Sequence, residues 1–188
     1  NDLEKSSLIR FYRHSNKINF LEGTDIDLEQ EMINASKEIN PDFDIGQEID
    51  MLLDYPVELV KRYSFETGTP RFFEYRTLEY SKITEINNPE GSIDGYINLI
   101  FGAVKTKELK EKSKDLPGHI FVLYKNSAEI KNELFKIKQY DLLLERHQYD
   151  KNALKLLSDE REYHLFVLKN KVINRLLGNK VNVWIHQG

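Results

Sequence analysis

Two apolar runs, residues 96–101 (YINLIF) and 119–124 (HIFVLY), constrain this fold more than anything else in the chain. Neither alternates as a strand with one wet face should, so both read as strands buried on both sides. Between them, residues 106–115 are lysine-rich and of helical length, and Pro117-Gly118 turns into the second run. Strand, short helix, buried strand is the pattern of a crossover, so the two strands are predicted to be parallel neighbours. The fold class that follows is α/β, with α+β as the variant.

The chain ahead of this unit reads differently. Residues 8–13 and 17–21 look like a hairpin turning at His14-Ser15-Asn16. Thr24 or Asp25 is placed to cap a helix, with Asp27 three residues after Thr24 as in a capping box, and that helix is expected to reach about Ile39. Asn40-Pro41 ends it. Ile45, Ile49, Leu52 and Leu53 predict a second short helix stopping at Tyr55-Pro56. Residues 8–55 are therefore expected to form a hairpin-plus-helices, winged-helix-like unit, and residues 56–187 an α/β unit. Within the latter, residues 59–65 and 71–77 read as strands flanking a turn at 66–70. Ser127 is expected to cap a helix, and after a break near residues 148–150 a longer helix should run to Leu177, pairing with its predecessor as an antiparallel hairpin. Residues 181–185 alternate as a closing strand.

Composition bounds the function. With 188 residues, ten Phe and ten Tyr, the chain can bury a real core. A net charge of −4 and a pI near 5.8 are less basic than a dominant nucleic-acid footprint requires. There is no cysteine, which excludes disulfides, thiolate metal sites and cysteine nucleophiles and fits a reducing compartment. No apolar run nears the roughly 18 residues of a membrane span, and residues 1–5 are too polar for a signal peptide. A cytoplasmic location is expected. The start at Asn1 and the stop directly after a strand-like run predict a piece of a longer protein, with a processed complete chain as the alternative.

No catalytic constellation stands out. GxxxxGK(S/T) and GxGxxG are both missing, and Thr67-Gly68-Thr69 reads as a turn before it reads as a phosphate cradle. His14, His119, His147, His164 and His186 form no HxxxH or HExxH pair. His147 and His164 would meet if the last two helices pair. His119, opening a buried strand, reads as structural. Glu22, Asp25 and Asp27 read as helix-start carboxylates favoured by the helix dipole before they read as metal ligands. Glu74-Tyr75-Arg76 faintly resembles the Glu-x-Lys of a metal-dependent nuclease, but Glu74 and Arg76 share one strand face, where they can pair with each other. The densest signal is arginine interleaved with aromatics. Arg10, Arg13, Lys61, Arg62, Arg71 and Arg76, with Tyr63 and Phe72, are the candidate contacts to nucleic acid or to a protein partner. Against this stands a plain reading of core aromatics with a solvated basic face.

Two segments carry a family resemblance. Residues 18–27 (INFLEGTDID) and 60–74 (VKRYSFETGTPRFFE) resemble a recurring pair in large prokaryotic P-loop ATPases of the AAA+/STAND-like kind, often tied to defence or mobile-element loci. The resemblance implies that this chain is the region following a nucleotide-binding core, with the ATPase motifs outside it. No catalytic residue carries over, because none of the family's nucleotide-binding residues has a counterpart here.

The expected role is thus a non-catalytic accessory module of a larger ATP-binding protein, coupling the ATPase to a partner, to nucleic acid or to self-assembly. The expected partners are the neighbouring ATPase domain of the same chain, nucleic acid or further copies of the chain, and not a membrane. No cofactor or metal is expected. The alternatives are a nucleic-acid-binding domain using the Arg/aromatic hairpin and a degenerate metal-dependent nuclease-like enzyme.

Overall fold

The computed structural model describes residues 9–12, 17–20, 26–174, 176 and 182–186. In chain order the elements are β1 (Ile9–Tyr12), β2 (Lys17–Phe20), α1 (Leu28–Glu38), α2 (Ile45–Leu52), β3 (Glu58–Leu59), α3 (Lys61–Thr67) and β4 (Phe72–Thr77). A 3-10 helix (Tyr80–Glu85), β5 (Gly95–Phe101), α4 (Thr106–Lys112), β6 (His119–Tyr124), α5 (Ser127–Arg146), α6 (Lys151–Lys169) and β7 (Asn182–His186) follow. The class is α/β, as the crossover pattern predicts. The chain divides into two compact units, residues 1–42 with 133–168 and residues 43–132 with 169–188. This differs from the division at 55/56 expected above. Helix α2 belongs with the sheet, while most of α5 and α6 belongs with the N-terminal segment.

In the first unit, β1 and β2 pair antiparallel from Ile9↔Phe20 to Tyr12↔Lys17. Helix α1 begins where the Asp27 carboxylate accepts the Gln30 N–H at 3.1 Å. The cap is therefore Asp27; Thr24 and Asp25 lie outside the described residues. The helix ends at extended Ile39, two residues before Pro41. Its Ala35 packs with Tyr140 and Leu143 of α5 and Ala153 and Leu157 of α6. The expected helical hairpin is present and antiparallel: Arg161 pairs with Asp141, while His164 Nδ1 lies 2.7 Å from Glu133 Oε2. Asp150 starts α6 by accepting from the Asn152 and Ala153 N–H groups, both at 3.0 Å.

In the second unit, five strands lie in the order β3-β4-β5-β6-β7. Strands β4, β5 and β6 are parallel, with Arg76↔Asn98 and Asn98↔Phe121 in register. Strands β3 and β7 join antiparallel at the two ends. The period of two sends Ile100, Phe121 and Leu123 to one face, where Ile83 of the 3-10 helix and Leu109 of α4 cover them. The crossovers lie on this face because each supplies one buried apolar side chain to the same core. Tyr75, Thr77, Phe101 and Tyr124 lie on the other face. There the Thr77 hydroxyl donates to Asp50 of α2, and the buried Tyr124 hydroxyl donates to the Val172 carbonyl at 2.6 Å. Val172 sits in a π-helical turn, Asn170–Asn174, that follows α6. Such a turn breaks the regular i→i−4 ladder, and here one of its carbonyls receives a bond from the sheet.

The structure overturns several local expectations. Ser127 is already the first residue of α5, with the Ile130 N–H bonded to the Asn126 carbonyl, so Asn126 and not Ser127 precedes the helix. Helix α6 gives way to the π-helical turn at Asn170 instead of running to Leu177. Residues 59–65 are not a strand; after the two residues of β3 the chain turns into α3. Tyr63 and Phe65 alternate like strand residues, but Arg62 and Glu66 are spaced i,i+4 and pair at 2.9 Å, and the Thr67 hydroxyl donates to the Tyr63 carbonyl. Gly68, at φ 69°, terminates the helix in the left-handed conformation that glycine adopts most readily. The Thr-Gly-Thr stretch is therefore a helix stop and not a hairpin turn.

Candidate functional site

The free end of the sheet, β3–α3–β4, concentrates exposed apolar side chains. Val57, Leu59, Val60, Tyr63, Phe65 and Phe72 all lie on the surface within residues 57–72, and Phe65 is 90% exposed. The local fold explains why. None of the seven residues of α3 is buried, so its outward side chains stay in solvent. Leu59 and Phe72 face each other in register across β3 and β4. Isolated apolar residues on a surface are ordinary; several of them within one short stretch make this edge the candidate interaction surface.

Beside this stretch lies a cavity of about 510 Å³. Its floor is Phe73, Ile97 and Ile120 from three adjacent strands, and Val60 and Tyr63 form a wall. At its rim Arg71 pairs with Asp94, which also accepts the Phe72 N–H at 2.8 Å. The hydrogen bond from Arg71, helped by the Phe72 N–H, holds the Asp94 carboxyl below the usual carboxylate range. The same pair pushes the Arg71 guanidinium up.

The sequence-based candidates separate in space. Lys61, Arg62, Tyr63, Arg71 and Phe72 belong to this edge. Arg62 is matched by Glu66 and Arg71 by Asp94, so the two arginines add little net positive charge to it. Arg10 lies in β1 opposite Asn19, and Arg13 lies outside the described residues.

Arg76 has other company. It sits on the opposite sheet face from the cavity floor, its Nε donating to Asn98 Oδ1 at 2.7 Å and its Nη2 lying 3.4 Å from His119 Nδ1. Its guanidinium carbon stands 3.9 Å from the centre of the Tyr96 ring. The expected pairing with Glu74 is not made: among the described residues Arg76 has no ion pair. Burial pulls the guanidinium below its ordinary value, while the fields of Tyr96 and Glu74 oppose the shift.

Fully buried Asn98 closes the cluster, its amide donating to the Ile120 carbonyl and lying 3.2 Å from His119 Nδ1. Both neighbours of that nitrogen present donors, which assigns it as the acceptor and puts the imidazole proton on Nε2. His119 Nε2 is buried and makes no hydrogen bond of good geometry, although the Asn87 backbone beside the ring slightly favours its charged form. Burial first, and the Arg76 charge second, lower the His119 pKa. Sequence spacing could flag Arg76 and His119 singly, but only strand register brings Asn98 between them.

His147 and His164 hold separate places, and His14 lies outside the described residues. His164 pairs with Glu133, while His147 Nε2 lies 3.6 Å from Glu31 of α1, so the helical hairpin does not bring the two together. Among the described residues no three His, Asp or Glu side chains converge as a metal-holding group. No helix there is long and apolar enough to cross a membrane.

A second cavity, of about 770 Å³, opens at the carboxyl ends of β4 and β5, where open α/β sheets usually bind ligands. Its charged groups are engaged locally. Asp44 caps α2 through the Gln47 N–H, Asp50 accepts from Thr77, Glu79 pairs with Lys82, and Lys131 lies over the Phe43 ring.

No protein-family model matches this chain, and no solved structure matches it. The chain is similar to Calcineurin-binding protein 1 of Arabidopsis thaliana, 33% identical over 107 residues. That alignment covers 53% of this chain and only 6% of the length of the Arabidopsis protein.

Proposed function

We propose that this chain is a non-catalytic interaction module that docks a protein partner at the β3–α3–β4 edge of its sheet. The observation that carries the reading is the run of exposed apolar side chains over residues 57–72, centred on Phe65. Phe and Tyr are enriched at the buried core of protein interfaces, and Tyr also among the side chains that dominate binding energy there. The resemblance of residues 18–27 and 60–74 to a region of large prokaryotic P-loop ATPases supports a neighbouring ATPase domain as the partner, and the three exposed aromatics of the edge, Tyr63, Phe65 and Phe72, stand inside the second motif.

Nucleic acid is the rival partner. Exposed Arg62, Tyr63 and Phe65 favour it, while the pairing of Arg62 and Arg71 with Glu66 and Asp94 counts against it.

The test is a titration of the 188-residue chain with the P-loop region of its parent polypeptide, beside a parallel titration with a fluorescent oligonucleotide. Docking predicts saturable protein binding, weakened at least about tenfold by Tyr63→Ser with Phe65→Ser and little changed by salt. Oligonucleotide binding that falls steeply with salt, and falls further in Arg62→Ala, would establish the rival instead.

A further inference from the structure

The Arg76 cluster lies on the opposite sheet face from the cavity beside the docking edge, and the proposed function leaves it unused. A guanidinium has five N–H donors. Two are engaged, by Asn98 and His119, and both of those partners are neutral. The remaining three, two on Nη1 and one on Nη2, have no described protein acceptor.

A half-buried arginine placed only to stabilise the sheet would be expected to meet a carboxylate, because an unneutralised charge away from water is costly. Glu74, on the same strand face two residues earlier, favours the charged guanidinium by its field but makes no ion pair or hydrogen bond with it. Instead the surroundings fix the guanidinium plane. Tyr96 lies under it, Asn98 grips Nε, and the buried His119 ring, itself held by the Asn98 amide, lies against Nη2. A planar fork held at one edge, with its other donors unspent, has the geometry that recognises carboxylate and phosphate oxygens.

We infer that Arg76, positioned by Tyr96, Asn98 and His119, is an oxyanion-binding residue that accepts a carboxylate or phosphate group on the Nη1 side of its guanidinium. The proposal is independent of the docking edge. Asn98 and His119 act here as positioning residues, and Arg76 makes the contact.

The experiment is NMR on the full 188-residue chain, following the Arg76 Nε–H and His119 ring signals during titration with inorganic phosphate, with sodium acetate and with sodium chloride at matched ionic strength. The expected result is a saturable shift of both signals with phosphate or acetate and none with chloride. The more effective of the two anions identifies the group. Arg76→Met abolishes the effect, read at His119, and Arg76→Lys, which keeps the charge but loses the fork, weakens it about tenfold. Equal shifts with all three salts would overturn the inference. So would shifts at Arg62 as large as those at Arg76, a comparison made on the unsubstituted chain whether or not the variants fold.

Discussion

Asn98 is the residue on which the N-terminal half of the sheet turns. It is fully buried on the central strand, accepts from Arg76 on one neighbouring strand and donates to the Ile120 carbonyl on the other. Asn98→Ala removes that acceptor and leaves Arg76 and His119 facing each other. It should cost about 3 kcal/mol in chemical denaturation. His119 gives a signed pH dependence. Its folded pKa lies below the ordinary 6.5, so the unfolded chain takes up the proton first as pH falls. The stability it supports is complete above pH 6.5 and drains away below that value, well before Asp94, whose pKa is itself depressed, begins to protonate. Denaturation midpoints between pH 7 and 5 should fall in the unsubstituted chain and fall less in His119→Gln; parallel curves would contradict the assignment. His119 was legible from sequence as a structural histidine because it opens an apolar run. The cluster was not, because its members come from three strands whose register no local pattern reports.

At the scale of elements, the crossover was legible and the sheet edge was not. Residues 96–101 and 119–124 have one buried solution each, and no competing local preference disturbs them. Residues 61–67 carry two signals at once: aromatic alternation that suits a strand, and an Arg62–Glu66 spacing with a following glycine that suits a helix. The helix is realised because Gly68 can adopt φ 69° and because the Ser64 hydroxyl accepts the Arg71 N–H at 3.1 Å, tying the helix to the start of β4. Gly68→Ala meets no neighbouring atom, so its cost is that of the left-handed backbone alone, about 1 kcal/mol in a denaturation midpoint. Phe65→Ser should shift stability by no more than about 0.5 kcal/mol, since the ring is 90% exposed. Its effect belongs to binding, and a large loss of stability would mean the ring is packed after all.

For the whole molecule, the division into units was the least legible feature. Helices α5 and α6 look like an appendage to the sheet in sequence, yet their Leu143 and Leu157 complete the core of the N-terminal segment around Ala35 of α1. Leu157→Ala should cost about 2–5 kcal/mol while leaving the affinity of the folded chain for its partner within about twofold, because Leu157 lies in the other unit. That the β3–α3–β4 edge docks a protein can be checked by placing a photo-crosslinking phenylalanine analogue at position 65 of the 188-residue chain and irradiating it with the proposed ATPase domain. Position 149 serves as the control, since Tyr149 is equally exposed in the link between α5 and α6. Docking at this edge gives crosslinks from position 65, and not from 149, to a protein segment, with a yield that drops when Tyr63 is also replaced by serine. Equal yields from the two positions, or crosslinks from position 65 to nucleic acid alone, would contradict it.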